Sequence, residues 1–596
     1  MAETLISPGV LARENDQSQI TAQPVQAGAA IIGPTVKGQK YIPKLVTSYS
    51  EYLANFGSTF ISGSDQFSFF TSISAYNYFQ NGGASLLVTR VNSGSFTSAT
   101  SSFVSGSSGS QNIFLLETLG QGTLLNNDDG TYVATTAGAV NGSGTTTGSN
   151  NTLLSGSSDN VRWEIANPSI NNGVFSVVIR RGDDTKESPT VLETFANVSL
   201  DPKASNYIER IIGNQTKEKR GSGTDVYLQT TGSYRNASNY VRVKEVKVKT
   251  PDYFNNAGTP KAKYTASIPL AQSGAFGAAS GDIFYAGTQA RFYDQITATN
   301  TQGQNATDYY DAVNLLANRD DFRYNLITAP GLVHSFSTVP AGGYSHATIL
   351  NTLVSNTENR GDNIVVLDVS GYNSSVAATV TNASSIDSSY AATYWPWLQI
   401  SEPDTGQLVW VPASTMIPGV YAYNDNAGEA WFAPAGINRG GLGTVQMAER
   451  KLTQKNRDSL YVGKVNPIAT FPGSGVVVFG QKTLQTKASA LDRVNVRRLL
   501  ITLKNFISQI ADTLVFEQNT SATRNQFLSQ VNPYLESVQQ RQGLYAFKVV
   551  MDESNNTADV IDRNQLIGAI YLQPTKTAEF IYLDFNILPT GATFPA

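Results

Sequence analysis

The feature that most constrains this chain is a helix apolar on one side and basic along a border. Between Ala488 and Leu514, a step of about 100° per residue places Val496, Leu499, Leu500, Leu503, Phe506, Ile507, Ile510 and Leu514 within one arc of about 120°. Such an arc must be laid on a core. Arg493, Arg497 and Lys504 line up just beyond one border, and Arg498 lies well away from it. Two readings are open: a core-facing helix with solvated flanking cations, or a basic stripe presented to an acidic partner surface. Just upstream, Val476 to Phe479 is a continuous apolar strand between Gly-rich turns.

The rest of the chain falls into blocks. Residues 1–26 read as an arm: Ser7, Pro8, Gly9 and Val10 make a turn and the start of an extended run that cannot bury itself alone. Residues 27–92 read as strand, helix, helix, strand, with a buried strand Ala29 to Ile32 broken by Gly33-Pro34 and a short helix capped by Ser48 or Ser50. From 93 to 185 the texture is rich in Ser, Thr and Gly, a β-rich outer insertion. Residues 186–305 form a second insertion, in which the valines at 241 and 243 resume at 246 and 248, the slip expected of a β-bulge at Glu245. A βαβ pattern returns from about 306 and continues to 447, with a hairpin of Leu398–Ile400 and Leu408–Trp410. Residues 448–596 form the C-terminal block, closing on a strongly β run that includes Phe580, Ile581, Leu583 and Phe585. The fold class expected is therefore α+β/α/β and multidomain: an α/β core built from both chain ends, β-rich insertions between, and extended arms at both termini. An unpaired apolar β run at a terminus together with an extended N-terminal arm suggests strand exchange between subunits.

Composition excludes several function classes. The 596 residues contain no cysteine and two histidines, His334 and His346, so thiolate metal sites are excluded and a His-based triad or metal cluster has almost no raw material. His346, at the start of a helix, is expected on the surface or as a cap. A net charge of −4 gives no global case for nucleic acid or anionic membrane. No run approaches the length of a membrane span, and the first residues lack the basic and apolar regions of a signal peptide, so a soluble, cytoplasmically made chain is expected. Gly475 to Thr483 mimics a phosphate-binding loop with one residue inserted before Lys482, but a loop that must turn its N–H groups inward is incompatible with the strand VVVF. Asp368 after a buried strand mimics the companion carboxylate equally weakly. Arg181-Gly182-Asp183 reads as a turn. No catalytic, cofactor or metal residues are expected.

An ordered series of short motifs carries a family resemblance. Trp431-Phe-Ala-Pro-Ala-Gly436 with Asn438-Arg439-Gly440 is followed by Asn466-Pro467-Ile468, Phe471-Pro472-Gly473, Phe479-Gly480-Gln-Lys482-Thr483-Leu484, Asn495-Val-Arg497-Arg498-Leu499, Val515-Phe-Glu517-Gln-Asn519 and Ala578-Glu579-Phe580-Ile581. Ser7-Pro8-Gly9-Val10, Phe79-Gln-Asn81-Gly82-Gly83 and Ala329-Pro330-Gly331 agree. This series resembles the tail sheath proteins of contractile-tailed bacteriophages, closely over residues 1–92 and about 306–596 and loosely over 93–305. The resemblance implies a non-enzymatic structural subunit of the virion without cofactors. It would stack as six-fold rings around a tail tube, link to its neighbours by its arms, meet baseplate and tail terminator proteins, and contract to drive the tube through the host envelope. Nucleic acid and membrane insertion are not implied. Arg493, Arg497 and Lys504 would then face the tube, and Ser7, Pro8, Gly9, Val10, Phe580, Ile581, Leu583 and Phe585 would belong to the arms. The alternative reading, from the β-rich insertion, is a receptor-binding or polysaccharide-degrading tail protein.

Overall fold

The computed structural model describes residues 25–580 except for 63, 105–111, 128–139, 142–152, 154, 186, 285–292 and 294–295. Its centre is an eight-stranded sheet in the order Gly475–Val478, Asn466–Phe471, Ala391–Trp395, Ile364–Asp368, Leu326–Val333, Ala29–Gly33, Leu86–Arg90, Lys44–Val46. The two outermost pairings are antiparallel and those between them parallel. Parallel strands covered on both faces need apolar residues on both, hence their unbroken apolar runs. Along Ala29–Gly33, Ala29 and Ile31 face one core while Ala30 and Ile32 face the other; Val365 and Val366 divide in the same way. Helices Phe70–Gln80 and Ala413–Ala427 cover the first face, and Tyr309–Leu315 and His346–Arg360 the second.

The predicted caps and turns are in place. Ser48 Oγ accepts from Glu51 N at 3.2 Å, and the helix it opens stops at Gly57, whose φ of +71° suits glycine. Strands Leu398–Ser401 and Leu408–Val411 form the hairpin read from the sequence. The valine slip is a register shift between Val243 and Glu245 against strand Asn112–Gln121. Arg181 and Asp183 pair across a turn.

Two expected boundaries are corrected. The inserted region is one body, not two divided at 185/186. Strand Val241–Val246 pairs with Asn112–Gln121, Gln272–Gly274 pairs with Val161–Ser169, and Val191–Ser199 pairs with Val174–Arg181. The two resulting sheets share one core, in which Phe103 stacks on Phe114 at 4.3 Å and the Trp163 indole N–H donates to Ser101 Oγ at 2.8 Å. The C-terminal block does not begin at 448 either, because Gln454–Val462, Asn466–Phe471 and Gly475–Val478 complete the central sheet and its cover.

Beyond the central sheet the chain forms a compact C-terminal module: helices Val494–Asp512 and Ser521–Gln540 with the antiparallel pair Leu544–Val550 and Ala569–Pro574. Helix Val494–Asp512 belongs to two cores. Val494 and Ile501 pack with the central sheet, whereas Leu499, Leu503 and Ile510, with Leu514 just beyond the helix end, pack with Phe527, Val531, Leu535 and Trp431 in the module. Cutting Leu499 or Leu503 to Ala would cost about 2–5 kcal/mol by the usual scale of buried leucines. Trp431 ties the α/β body to this module, its indole N–H donating to the Arg541 carbonyl at 3.1 Å.

Candidate assembly surface

Where α/β sheets usually bind small ligands, this chain has filled the space itself. Chain order reverses between Ala29–Gly33 and Leu326–Val333, and the crevice beyond their carboxyl ends is the usual ligand position. The hairpin Asn300–Thr301/Gln304–Asn305 lies there. Thr301 Oγ1 donates to the Gly331 carbonyl at 2.7 Å, and Gln302 Oε1 accepts from Phe70 N, the first residue of helix Phe70–Gln80, at 2.8 Å. The helix terminus that would meet an anion is thus capped by a neutral amide.

The phosphate-loop mimic is equally occupied. Lys482 Nζ donates to the Tyr461 carbonyl at 2.8 Å and lies 4.2 Å from the centre of its ring. A Cβ on Gly480 would meet Pro467 and Asn466 at 2.9–3.0 Å. Asp368 is buried and accepts from Ser414 N at 3.1 Å, burial pushing its carboxyl up to about 7. His346, expected at the surface, is fully buried instead: its Nδ1 accepts from Val333 N at 3.2 Å, Phe336 lies edge-on, and burial lowers the imidazole to about 4. Among the described residues no group of three His, Cys, Asp or Glu side chains could hold a metal ion, and no helix is long and apolar enough to cross a membrane.

The features left over belong to surfaces and chain ends. The pair Leu544–Val550/Ala569–Pro574 is a two-stranded sheet whose outer edges bond to no other described strand, with Tyr545 and Tyr571 exposed on it. From Pro574 the chain crosses to the α/β body as a strap. Thr575 N donates to the Gly543 carbonyl at 3.2 Å, and Thr577 Oγ1 accepts from Gln481 Nε2 at 2.6 Å. Glu579 then takes a two-pronged contact from Arg493, at 2.7 and 2.9 Å, with further bonds from Tyr461 Oη at 2.5 Å and Gln481 Nε2 at 3.0 Å. Burial alone would raise the Glu579 carboxyl, but these donors outweigh it and hold the group below its ordinary value. Phe580 is exposed beside this cluster. Ser7, Pro8, Gly9, Val10, Ile581, Leu583 and Phe585 lie outside the described residues. At the other end, Val25–Ala27 pairs in parallel with Phe322–Tyr324.

The basic border expected on the amphipathic helix is not a row of solvated cations. Arg493 is held by Glu579 and Asp492. Arg497 is buried with its guanidinium 3.9 Å from the centre of the Tyr390 ring and a donor on Ser389 Oγ. Burial lowers its pKa, partly offset by Tyr390 and Glu358. The reason is that residues 494–499 are buried all round, wedged between two cores, so no border exists there. Lys504 alone is exposed, with Nζ 3.1 Å from Tyr390 Oη. Its neighbour Asn505 lines a small notch with Arg319, Arg323, Asp362 and Gln509. Among the described residues Arg319, Arg323 and Lys504 have no ion-pair partner, and Arg323 Nε is buried without an acceptor. The helical projection missed Arg319 and Arg323 because they come from another segment.

The architecture matches known proteins in two consecutive pieces. Residues 302–484, the second half of the central sheet, match the family model of the phage tail sheath protein central domain, and residues 486–588 match that of the phage tail sheath C-terminal domain. Over these two stretches the chain is similar to phage tail sheath proteins. The chain is 43% identical over 185 residues to the tail sheath protein of Vibrio phage KVP40 and 38% identical over 185 residues to that of Enterobacteria phage T4. Each alignment covers 31% of this chain and 28% of the relative. Its fold also aligns with the crystal structure of a sheath tail protein from Listeria innocua at 10% identity and a TM-score of 0.47, covering 93% of this chain and 96% of that one. The boundary between the two family models, near 485, falls where the central sheet ends and the C-terminal module begins.

Proposed function

We propose that this chain is the structural subunit of a contractile tail sheath, a non-enzymatic virion protein that polymerises as stacked hexameric rings around a tail tube. On triggering at the baseplate the sheath contracts and drives the tube through the host envelope. The observation that carries the reading is the consecutive match to both tail sheath domains across residues 302–588. The open-edged pair Leu544–Val550/Ala569–Pro574 supports it, since unpaired edges accept strands donated by a neighbour. In this reading the terminal segments carrying Ser7, Pro8, Gly9, Val10, Ile581, Leu583 and Phe585 are the donors. The energy of contraction resides in two packings of the same subunits, so no nucleotide is required. The cationic face toward the tube is Lys504 with Arg319 and Arg323, in place of the Arg493–Arg497–Lys504 stripe.

The test is assembly. Purified chain should form rings or tubes by negative-stain microscopy, and deletion of residues 1–15 should leave folded monomers that do not polymerise. Normal polymers from the deletion variant would overturn the arm model, and a full chain that stays monomeric at all concentrations would overturn the sheath reading.

A further inference from the structure

The strap after Pro574 is attached in an unusual way. Lys576 to Phe580 donate no backbone hydrogen bond to any described residue, and the Glu579 backbone is exposed while its side chain is turned inward, 19% exposed. The segment therefore hangs on two side chains, Thr577 and Glu579. The three donors to the Glu579 carboxylate come from separate parts of the body: Tyr461 from helix Gln454–Val462, Gln481 from the turn after strand Gly475–Val478, and Arg493 from the residue preceding helix Val494–Asp512. Arg493 is itself steadied by Asp492 at 3.0 Å, and Tyr461 is flanked by Lys482 and Arg493. A two-pronged Arg–carboxylate contact with further charge-assisted bonds is the strong and directional end of the hydrogen-bond range.

We propose that Glu579 is a positioning residue: with Arg493 it latches the strap to the subunit body, fixes the point from which residues 581–596 depart, and so preorganises their pairing with a second copy of this chain. The inference rests on the assembly reading above. With both side-chain anchors released, the chain after Thr575 could swing Phe580 through a radius of about 17 Å, at about 3.3–3.6 Å per residue. Latched, the departing chain starts from one place, and the entropy of locating a neighbour's strand edge is largely removed before contact. Arg493, read from the sequence as a cation for another protein, is used here within its own subunit.

The experiment uses the full chain and two readouts. Lys576 is an exposed tryptic site inside the strap, and cleavage there releases residues 577–596. In monomers, Glu579→Ala should speed that release on the order of tenfold, because cleavage follows the population of the opened strap, with the thermal unfolding midpoint unchanged. Glu579→Gln, which keeps the shape but not the charge, should give an intermediate rate, and Arg493→Ala should match Glu579→Ala. The same variants should raise, in the same order, the concentration at which polymers first appear. Unchanged release from Lys576 overturns the latch. Faster release with unaltered polymerisation overturns its positioning role. A wild-type chain that never polymerises overturns the assembly reading and the role built on it, a failure visible before any variant is compared.

Discussion

Gln302 Oε1 lies 2.8 Å from the backbone nitrogen of Phe70, so a residue of one hairpin caps a helix 232 positions away in the chain. Gln302 and Gly303 form the two-residue turn between the paired strands, both with positive φ, +53° and +79°. A two-residue loop with both centres left-handed is the favoured hairpin turn, but it suits Asn and Gly far better than Gln. The side chain supplies a reason for the costlier residue: its amide oxygen caps the helix terminus.

Substitution separates these two effects. Gln302→Gly relieves the backbone cost and removes the cap; Gln302→Ala removes the cap and keeps the cost. We expect Gln302→Ala to destabilise by about 1–3 kcal/mol, the scale of an unsatisfied buried N–H, and Gln302→Gly by visibly less. Thermal unfolding of the monomer measures both, and equal losses would show that turn strain is negligible here.

Asp368 gives a pH dependence of defined sign. Burial raises its folded-state value from 3.8 to about 7. The unfolded chain therefore loses this proton first, and the stability it confers is complete below pH 3.8 and lost progressively as pH rises to about 7. Asp368→Asn keeps an acceptor for Ser414 N and removes the titration. At pH 8 it should stabilise by roughly 1–3 kcal/mol, and at pH 4 the gain should vanish, read from denaturant unfolding at the two values.

The sequence was readable where physics is local. Ala29 to Ile32 is apolar at every position because both sheet faces are covered, and the Val243/Val246 slip is a bulge because side chains alternate along any strand. Ser48 announces a helix within three residues of itself. Contacts across long separations were invisible. The burial of Arg497 depends on Ser389 and Tyr390, and the partners of Glu579 lie 86 to 118 residues away. The single inserted core was hidden because polar Ser/Thr/Gly segments separate strands that pair, such as Asn112–Gln121 with Val241–Val246. A helical projection counts apolar positions, but it does not report a second core arriving on the other side of Val494 and Ile501.

That second core predicts opposite behaviour for two cations read as equivalent. Arg497→Ala leaves Ser389 and the Tyr390 face without their partner in a closed space, and should cost about 2–4 kcal/mol through lost packing and hydrogen bonding. Lys504→Ala, at an exposed position, should change stability by no more than about 0.5 kcal/mol. Parallel thermal melts decide this; equal effects would contradict the burial of Arg497.

The same distinction decides how a tube would be held. Arg319, Arg323 and Lys504 are unpaired among the described residues, so reversing their charge breaks no internal ion pair there. The triple variant Arg319→Glu, Arg323→Glu, Lys504→Glu should fold and self-polymerise, yet fail to decorate purified tail tubes. Wild-type decoration should weaken as salt rises from 0.05 to 0.5 M, because exposed charges are screened beyond about a Debye length, roughly 14 Å falling to 4 Å across that range. Reversal of Arg497 would confuse this test, since loss of decoration would result from unfolding alone. Tube decoration that survives both the triple reversal and high salt would place the tube contact on another face, leaving these three cations without a role in assembly.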